Sequence, residues 1–386
     1  MRDFAKPGPA IAVAVGAAML VLAWQALTVR YNYGGNWTGL FCTGASFTVP
    51  APLAAGTYRV ADAGGYDGQF YRYIAHDPFF RWGYAAYIDN PRFRYGRILV
   101  PLVAYALALG RQEWIDAGFI AVVLASILLG VYWTARYAAL HGRHPAWGLL
   151  FLAVPATVTS LDRMLLDGAL TALFAAYLLA AERREWRTLY VLCVLACLTK
   201  ETGLLLPAGC VLACAGGRRW AAAARFAATA VPALGWYAFV FLHTPALPAA
   251  RQFSHPVVGI LARLFTARPI PDPVLGSVLQ VTDALAVLGL LGSFALAALW
   301  AWRSPVRPVA ISVALFLAMG LAAGQPAHML EAFGYARPVS PLLLFVMLQA
   351  VVSARWAGLA APLLITLNVC QFLGYQLIGV VKGLLF

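Results

Sequence analysis

The residues of this chain whose types and spacing suit chemistry are a few carboxylates and a set of cations that stand apart from the basic clusters. Asp67 lies in Gly65-Tyr66-Asp67-Gly68-Gln69-Phe70-Tyr71-Arg72-Tyr73-Ile74-Ala75-His76-Asp77-Pro78, where the pattern predicts a short amphipathic helix that starts near Asp67 and stops at Pro78. An acid at a helix start is suited to capping. It is equally suited to taking a proton from a hydroxyl, because Tyr66, Gln69, Tyr71 and His76 supply the aromatic and polar lining typical of a sugar or headgroup site. Downstream, Pro91-Arg92-Phe93-Arg94-Tyr95-Gly96-Arg97 interleaves three arginines with aromatics. Guanidinium matches phosphate oxygens two at a time, so binding a phosphate headgroup is one use for Arg94 and Arg97; snorkelling to anionic lipid is the other.

Three further segments carry polar groups beside apolar runs. Ser160-Leu161-Asp162-Arg163-Met164-Leu165-Leu166-Asp167-Gly168 joins two of these runs, with Asp162 able to pair with Arg163 and Asp167 already a turn inside, where it caps nothing. A carboxylate at membrane depth is costly and marks function by default. Thr199-Lys200-Glu201-Thr202 brings a lysine and a glutamate to one rim, where they neutralise each other or the lysine meets a phosphate. The segment from Gln325 to Pro338 offers His328 and Arg337, the latter poised to enter the following apolar run.

These groups must be positioned by a membrane bundle. Of 386 residues 62% are hydrophobic and 11% charged, against about 45 to 50% and about a quarter in a soluble domain. Apolar runs at 8–28, 116–136, 146–160, 164–182, 187–200, 203–215, 222–243, 281–302, 308–323, 339–353 and 357–378 predict an all-α bundle of about eleven spans, read as a single membrane domain. The net charge of +13 comes from arginines clustered in alternate gaps: 136–143, 183–187, 218–225, 303–307 and 355. That is the positive-inside pattern of a multi-pass protein, not a nucleic-acid surface, and it puts the amino terminus and the basic gaps in the cytoplasm. The first segment is too long for a signal-peptide core and reads as a retained span. Segments 30–115 and 244–280 become long external loops, with 98–110 predicted to lie on the outer surface as a juxtamembrane helix. Cys193, Cys197, Cys210 and Cys214 sit at helical spacing inside apolar runs and read as packing. No Walker loop, dinucleotide glycine fingerprint, Gly-x-Ser-x-Gly elbow or His-Glu-x-x-His occurs, which argues against ATP-driven transport and zinc proteolysis.

The constellation resembles the GT-C superfamily of polytopic glycosyltransferases that use polyprenyl-phosphate sugars, and in particular its bacterial mannosyltransferase-like members. Tyr66-Asp67-Gly68-Gln69-Phe70-Tyr71 with Ile74-Ala75 looks like the acidic signature after the first span. Asp162-Arg163 through Asp167 resembles a Ser-Arg-x-x-x-x-Asp segment, and Leu198-Thr199-Lys200-Glu201 with Gly203 a Thr-Lys turn. The likeness covers about the first 210 residues. It implies an inverting transfer on the periplasmic face of a bacterial inner membrane, to a cell-envelope glycan, lipid or protein hydroxyl. Asp67 would be the general base; Lys200, Arg337, Arg94 and Arg97 would hold the donor phosphate. Tyr66, Gln69, Tyr71, His76, Asp167, Arg163, Glu201 and His328 would support them or receive the acceptor. The chain lacks a paired-acid motif at Asp67, so the resemblance leaves a divalent metal open and requires no other cofactor.

A lipid-linked saccharide flippase or other secondary transporter is the competing reading. Transporters gather polar residues near the bilayer midplane, often with internal symmetry, whereas here they collect at one predicted face. A non-catalytic scaffold for envelope assembly is the third.

Overall fold

Lipid offers no hydrogen-bond partners, so each long apolar run satisfies its own backbone by coiling into a helix. The computed structural model describes residues 7–61, 64–245, 258–265, 275–322, 329 and 331–385, and helix dominates throughout. Each of the eleven segments expected to cross is helical over most of its described residues. By length and apolarity five qualify as crossings: α1 (Pro7–Asn32), α6 (Gln112–Leu140), the continuous pair α11 (Trp220–Ala227) and α12 (Val231–His243), α14 (Leu275–Arg303) and α16 (Ala332–Val352). Two bent pairs raise this to seven: the 3-10 helix Pro145–Ala153 with α7 (Pro155–Arg163), angled at 63°, and the segment Trp356–Val369, which contains α17 (Ala360–Val369), with α18 (Gln371–Leu385), angled at 57°. Shorter apolar helices are α9 (Trp186–Thr199), α10 (Leu205–Gly216) and α15 (Arg307–Ala322).

The break before α7 follows from Pro155, which has no N–H to continue a helix. Instead the Ala156 N–H donates to Ser340 Oγ of α16 at 3.0 Å, pinning the break to the centre of the bundle. That centre is α8 (Asp167–Glu182), buried from Asp167 through Ala181, packed on α16, which is nearly as enclosed. A helix apolar on every side belongs inside. Around it, α1, α11 and α12 keep broad apolar faces outward, as lipid-facing helices do.

Chain direction sorts the charges. The carboxyl ends of α6, α8, α10, α14 and α16 lie at the end of the bundle where Arg143 Nη2 donates to Val352 O at 2.7 Å. The arginine clusters at 136–143, 183–187, 218–225, 303–307 and 355 therefore collect at that end. The amino ends of α8 and α16 and the carboxyl end of α9 lie at the other.

Segment 30–115 covers that second end with short helices: α2 (Ala51–Ala54), α3 (Asp67–His76), α4 (Pro91–Tyr95) and α5 (Leu99–Leu107). It also holds a two-residue parallel pairing of Thr43–Gly44 with Arg59–Val60, a small departure from the all-α expectation. At nine residues, α5 spans about 14 Å, under half of a hydrocarbon core. In the second long loop, only α13 (Val258–Phe265) and the residues up to 245 and from 275 are described.

Candidate active site

The start of α3 is fixed by two close approaches. Gly65 has φ +67° and its α-carbon lies against the Gly44 and Cys42 backbones, so any side chain there would overlap them. Tyr66 N–H donates to Cys42 O at 2.9 Å and Tyr66 serves as the N-cap residue, which makes Asp67 the first residue of the helix. Gly68 then meets Arg163 O, with no room for a Cβ. The last turn of α7, closed by Met164 in the left-handed region at φ 49°, is thus held against the first turn of α3. Asp67 and Asp167 are brought to one place by backbone contact between the two motifs.

The Asp67 carboxylate lies between two guanidinium groups: Oδ1 is 3.0 Å from Arg94 Nη2 and Oδ2 is 3.3 Å from Arg337 Nη1. Arg94 is also gripped by Asp89, through Nε at 3.0 Å and Nη2 at 2.8 Å. Arg337 comes from the first turns of α16, where Pro338 and Pro341 deprive the carbonyls of Gly334 and Arg337 of their helical donors. Its Nε donates to Phe333 O at 3.1 Å, and Nη1 sits 3.9 Å from Asp167 Oδ2. Asp167 in turn accepts from Lys200 Nζ at 2.6 Å, both side chains being nearly inaccessible. Arg97 makes a bidentate bond to Glu201, at 2.9 and 2.7 Å, and donates to Tyr71 Oη at 2.5 Å.

Burial pushes the Asp67 carboxyl up, but Arg337 and Arg94 together outweigh it and hold the group well below the usual carboxylate range. Asp67 is therefore a carboxylate, but a weak base for as long as both cations remain undiverted.

These groups line a cavity of about 410 Å³ whose walls include Asp67, Arg94, Arg97, Lys200, Glu201 and Arg337. Leu290 and Phe294 of α14, with Met319 of α15 and Val339 of α16, form an apolar wall. Among the described residues the lining cations outnumber the lining acids, while Asp89 and Asp167 stand behind as partners. Arg94 and Arg337 line the cavity while each also holds Asp67. The cavity is thus a cationic rim backed by an apolar side.

Several expected members stand elsewhere. Gln69 is buried and spends its amide on the loop, accepting from Gly44 N at 3.2 Å and donating to Gly64 O at 3.2 Å. His76, at the far end of α3, contacts Gln112 at 2.7 Å and Asp116 at 3.0 Å, and Arg72 also bonds Asp116, so this trio ties α3 to α6. Neither residue lines the cavity. Arg163 pairs with Asp162 at 2.9 Å and, like Arg337, has its guanidinium carbon 5.0 Å from the Tyr66 ring centroid, so it packs one layer behind. Tyr66 itself packs on Phe333. Arg92 reaches Thr244 O at 2.6 Å rather than the cavity. His328 lies outside the described residues.

Sequence reading passed over Asp89, Phe93 and the apolar wall. Asp89 stands five residues before Arg94, which is not a helical pairing distance; Phe93, 4.1 Å from the Arg97 guanidinium, was one aromatic among many. Among the described residues no group of three or more His, Cys, Asp or Glu is placed to hold a metal, and the carboxylates of Asp67 and Asp167 are met by cations. No known protein family, curated relative or solved structure matches the chain.

Proposed function

We propose that the protein is a membrane glycosyltransferase of the GT-C type, moving a sugar from a polyprenyl-phosphate donor to an envelope hydroxyl with inversion, at the non-cytoplasmic face of a bacterial inner membrane. One observation carries the reading. A single guanidinium group, that of Arg337, touches the candidate base Asp67 and lines the same cavity as Arg94 and Lys200. A phosphate seated on these donors leaves its sugar within reach of Asp67, and the wall of Leu290, Phe294 and Met319 suits the first units of a polyprenyl chain.

Asp67 accepts the acceptor's hydroxyl proton while that oxygen bonds to the anomeric carbon. The bond from that carbon to the phosphate oxygen breaks on the opposite side, and its electron pair leaves with polyprenyl phosphate. The charge gained by the leaving phosphate falls on Arg94, Arg337 and Lys200 in a poorly hydrated site, where each contact strengthens as the bond breaks. Donor binding also draws the two guanidinium charges away from Asp67. The carboxylate regains basicity only when a donor is present, which guards against idle protonation chemistry.

The test is sugar transfer by the reconstituted protein with a polyprenyl-phosphate donor and host membranes as acceptor. Asp67→Asn is expected to stay folded in the bilayer and to lose about a hundredfold or more of the rate. Unchanged transfer by that variant would remove Asp67 from the chemistry.

A further inference from the structure

At the opposite end of the bundle a second cavity, of about 580 Å³, opens between the start of α9 and the α10 to α11 turn. The α9 helix begins here at Trp186 and reaches Lys200 only 14 residues later, about 21 Å away, so this cavity is separate from the site around Asp67. Its lining brings together Arg187 of α9 with Arg219 and Arg225 from the two ends of α11, and no carboxylate among the described residues lines it. Arg187 and Arg225 make no ion pair with any described residue, although acids are near at hand. Glu185 takes Arg183 at 3.7 Å, and Glu182 faces His141 at 3.9 Å. Arg219 rests over the Trp186 ring, 5.9 Å from its centroid. Beyond the arginines the cavity continues onto Tyr190 and Val191, which are 38% and 54% exposed on the lipid-facing side of α9.

The geometry points to a binding site for an anionic phospholipid of the adjoining leaflet, its phosphate held by Arg187, Arg219 and Arg225 and an acyl chain laid along Tyr190 and Val191. Three guanidinium groups lining one concavity, none of them in an ion pair with a described residue, supply the charge complement for a phosphodiester. The volume suits a headgroup, and the continuous apolar face accounts for a chain that a free anion lacks. Basic residues that serve only to orient a membrane protein need no common cavity. This inference is independent of the sugar-transfer reading.

The full chain is reconstituted with equal amounts of phosphatidylglycerol and phosphatidylcholine, extracted, and its retained lipid measured by native mass spectrometry. The wild-type protein is expected to retain phosphatidylglycerol in about tenfold preference. The variant Arg187→Gln/Arg219→Gln/Arg225→Gln should fall to parity, and Arg183→Gln/Arg184→Gln/Arg218→Gln, which loses the same three charges at the same end of the bundle but outside the cavity lining, should keep the preference. Should the triple variant not fold, Arg187→Gln and Arg225→Gln are read singly, since both side chains are exposed. Parity in the wild type overturns the proposal. So does equal loss in the Arg183/Arg184/Arg218 control, which would mean diffuse surface charge, or abolition of the preference by inorganic phosphate in millimolar excess over lipid, which would mean a free-anion site.

Discussion

At the scale of single residues, the behaviour of the site follows from how Asp67 is flanked. Its ionised form is favoured by Arg337 and Arg94, so its folded pKa lies below the unfolded value of about 3.9. The sign of the pH response is then fixed. The group stays charged down to pH values below its ordinary range, and protonation is the acid limb of any activity that needs it as base. Removing one cation by Arg94→Gln raises the pKa and moves the acid limb of the pH-rate profile to higher pH. A limb that stays in place or moves lower would mean that Asp67 is not the titrating base. Lys200 and Asp167 are a different case, a buried pair at 2.6 Å. Lys200→Met strands a carboxylate that Arg337 contacts only at 3.9 Å, and should destabilise the protein by about 3 to 5 kcal/mol. Lys200→Met/Asp167→Leu should recover most of that loss, measured by thermal unfolding in detergent. At this scale Asp67, Lys200, Arg337, Arg94 and Arg97 were legible in the sequence because charge at a membrane rim requires a reason. Gln69 and His76 were misleading because a helix of ten residues carries polar groups on both faces, and sequence does not say which face meets the loop and which the cavity.

At the scale of elements, the site depends on the contact of α3 with the end of α7. Gly68 touches Arg163 O, so Gly68→Ala forces the two helix ends apart and moves Asp67 relative to Arg337. Gly68→Ala should cost about 1 to 3 kcal/mol of stability and reduce transfer further than the stability loss explains. Normal turnover in a folded Gly68→Ala protein would show that the spacing of α3 and α7 is not what aligns the site. Helix positions were readable from apolar runs almost throughout, including the paired short helices α9 and α10 meeting near Lys200. The 63° break at Pro155 was not, because 146–160 reads as one continuous apolar run and the hydrogen bond that compensates comes from Ser340, far away in sequence. The apolar cavity wall was hidden for a related reason: Leu290, Phe294 and Met319 look like any other residues of a membrane helix until tertiary structure turns them inward.

At the scale of the whole molecule, the arginine clusters gather at one end and the Asp67 cavity sits at the other, an arrangement that alternating basic gaps foretold. The number of crossings was less readable, since α8, α9, α10 and α15 are too short to qualify by length and depend on their neighbours for depth. Sidedness is open to a direct check in a Cys42→Ser background. Trp82→Cys, on the first-loop surface, should react with a membrane-impermeant thiol reagent added to intact cells, and Trp220→Cys, at the arginine end, only after lysis. The reversed pattern would place the cavity in the cytoplasm and remove the envelope acceptor. The account as a whole rests on donor phosphate and Asp67 sharing one chamber. The most direct measurement is a structure of the Asp67→Asn protein, which retains the cations but cannot turn over, with a polyprenyl-phosphate sugar bound. The expected result is phosphate density on Arg94, Arg337 and Lys200, with the anomeric carbon facing residue 67 and the prenyl chain along Phe294. Headgroup density anywhere else in the bundle would contradict it.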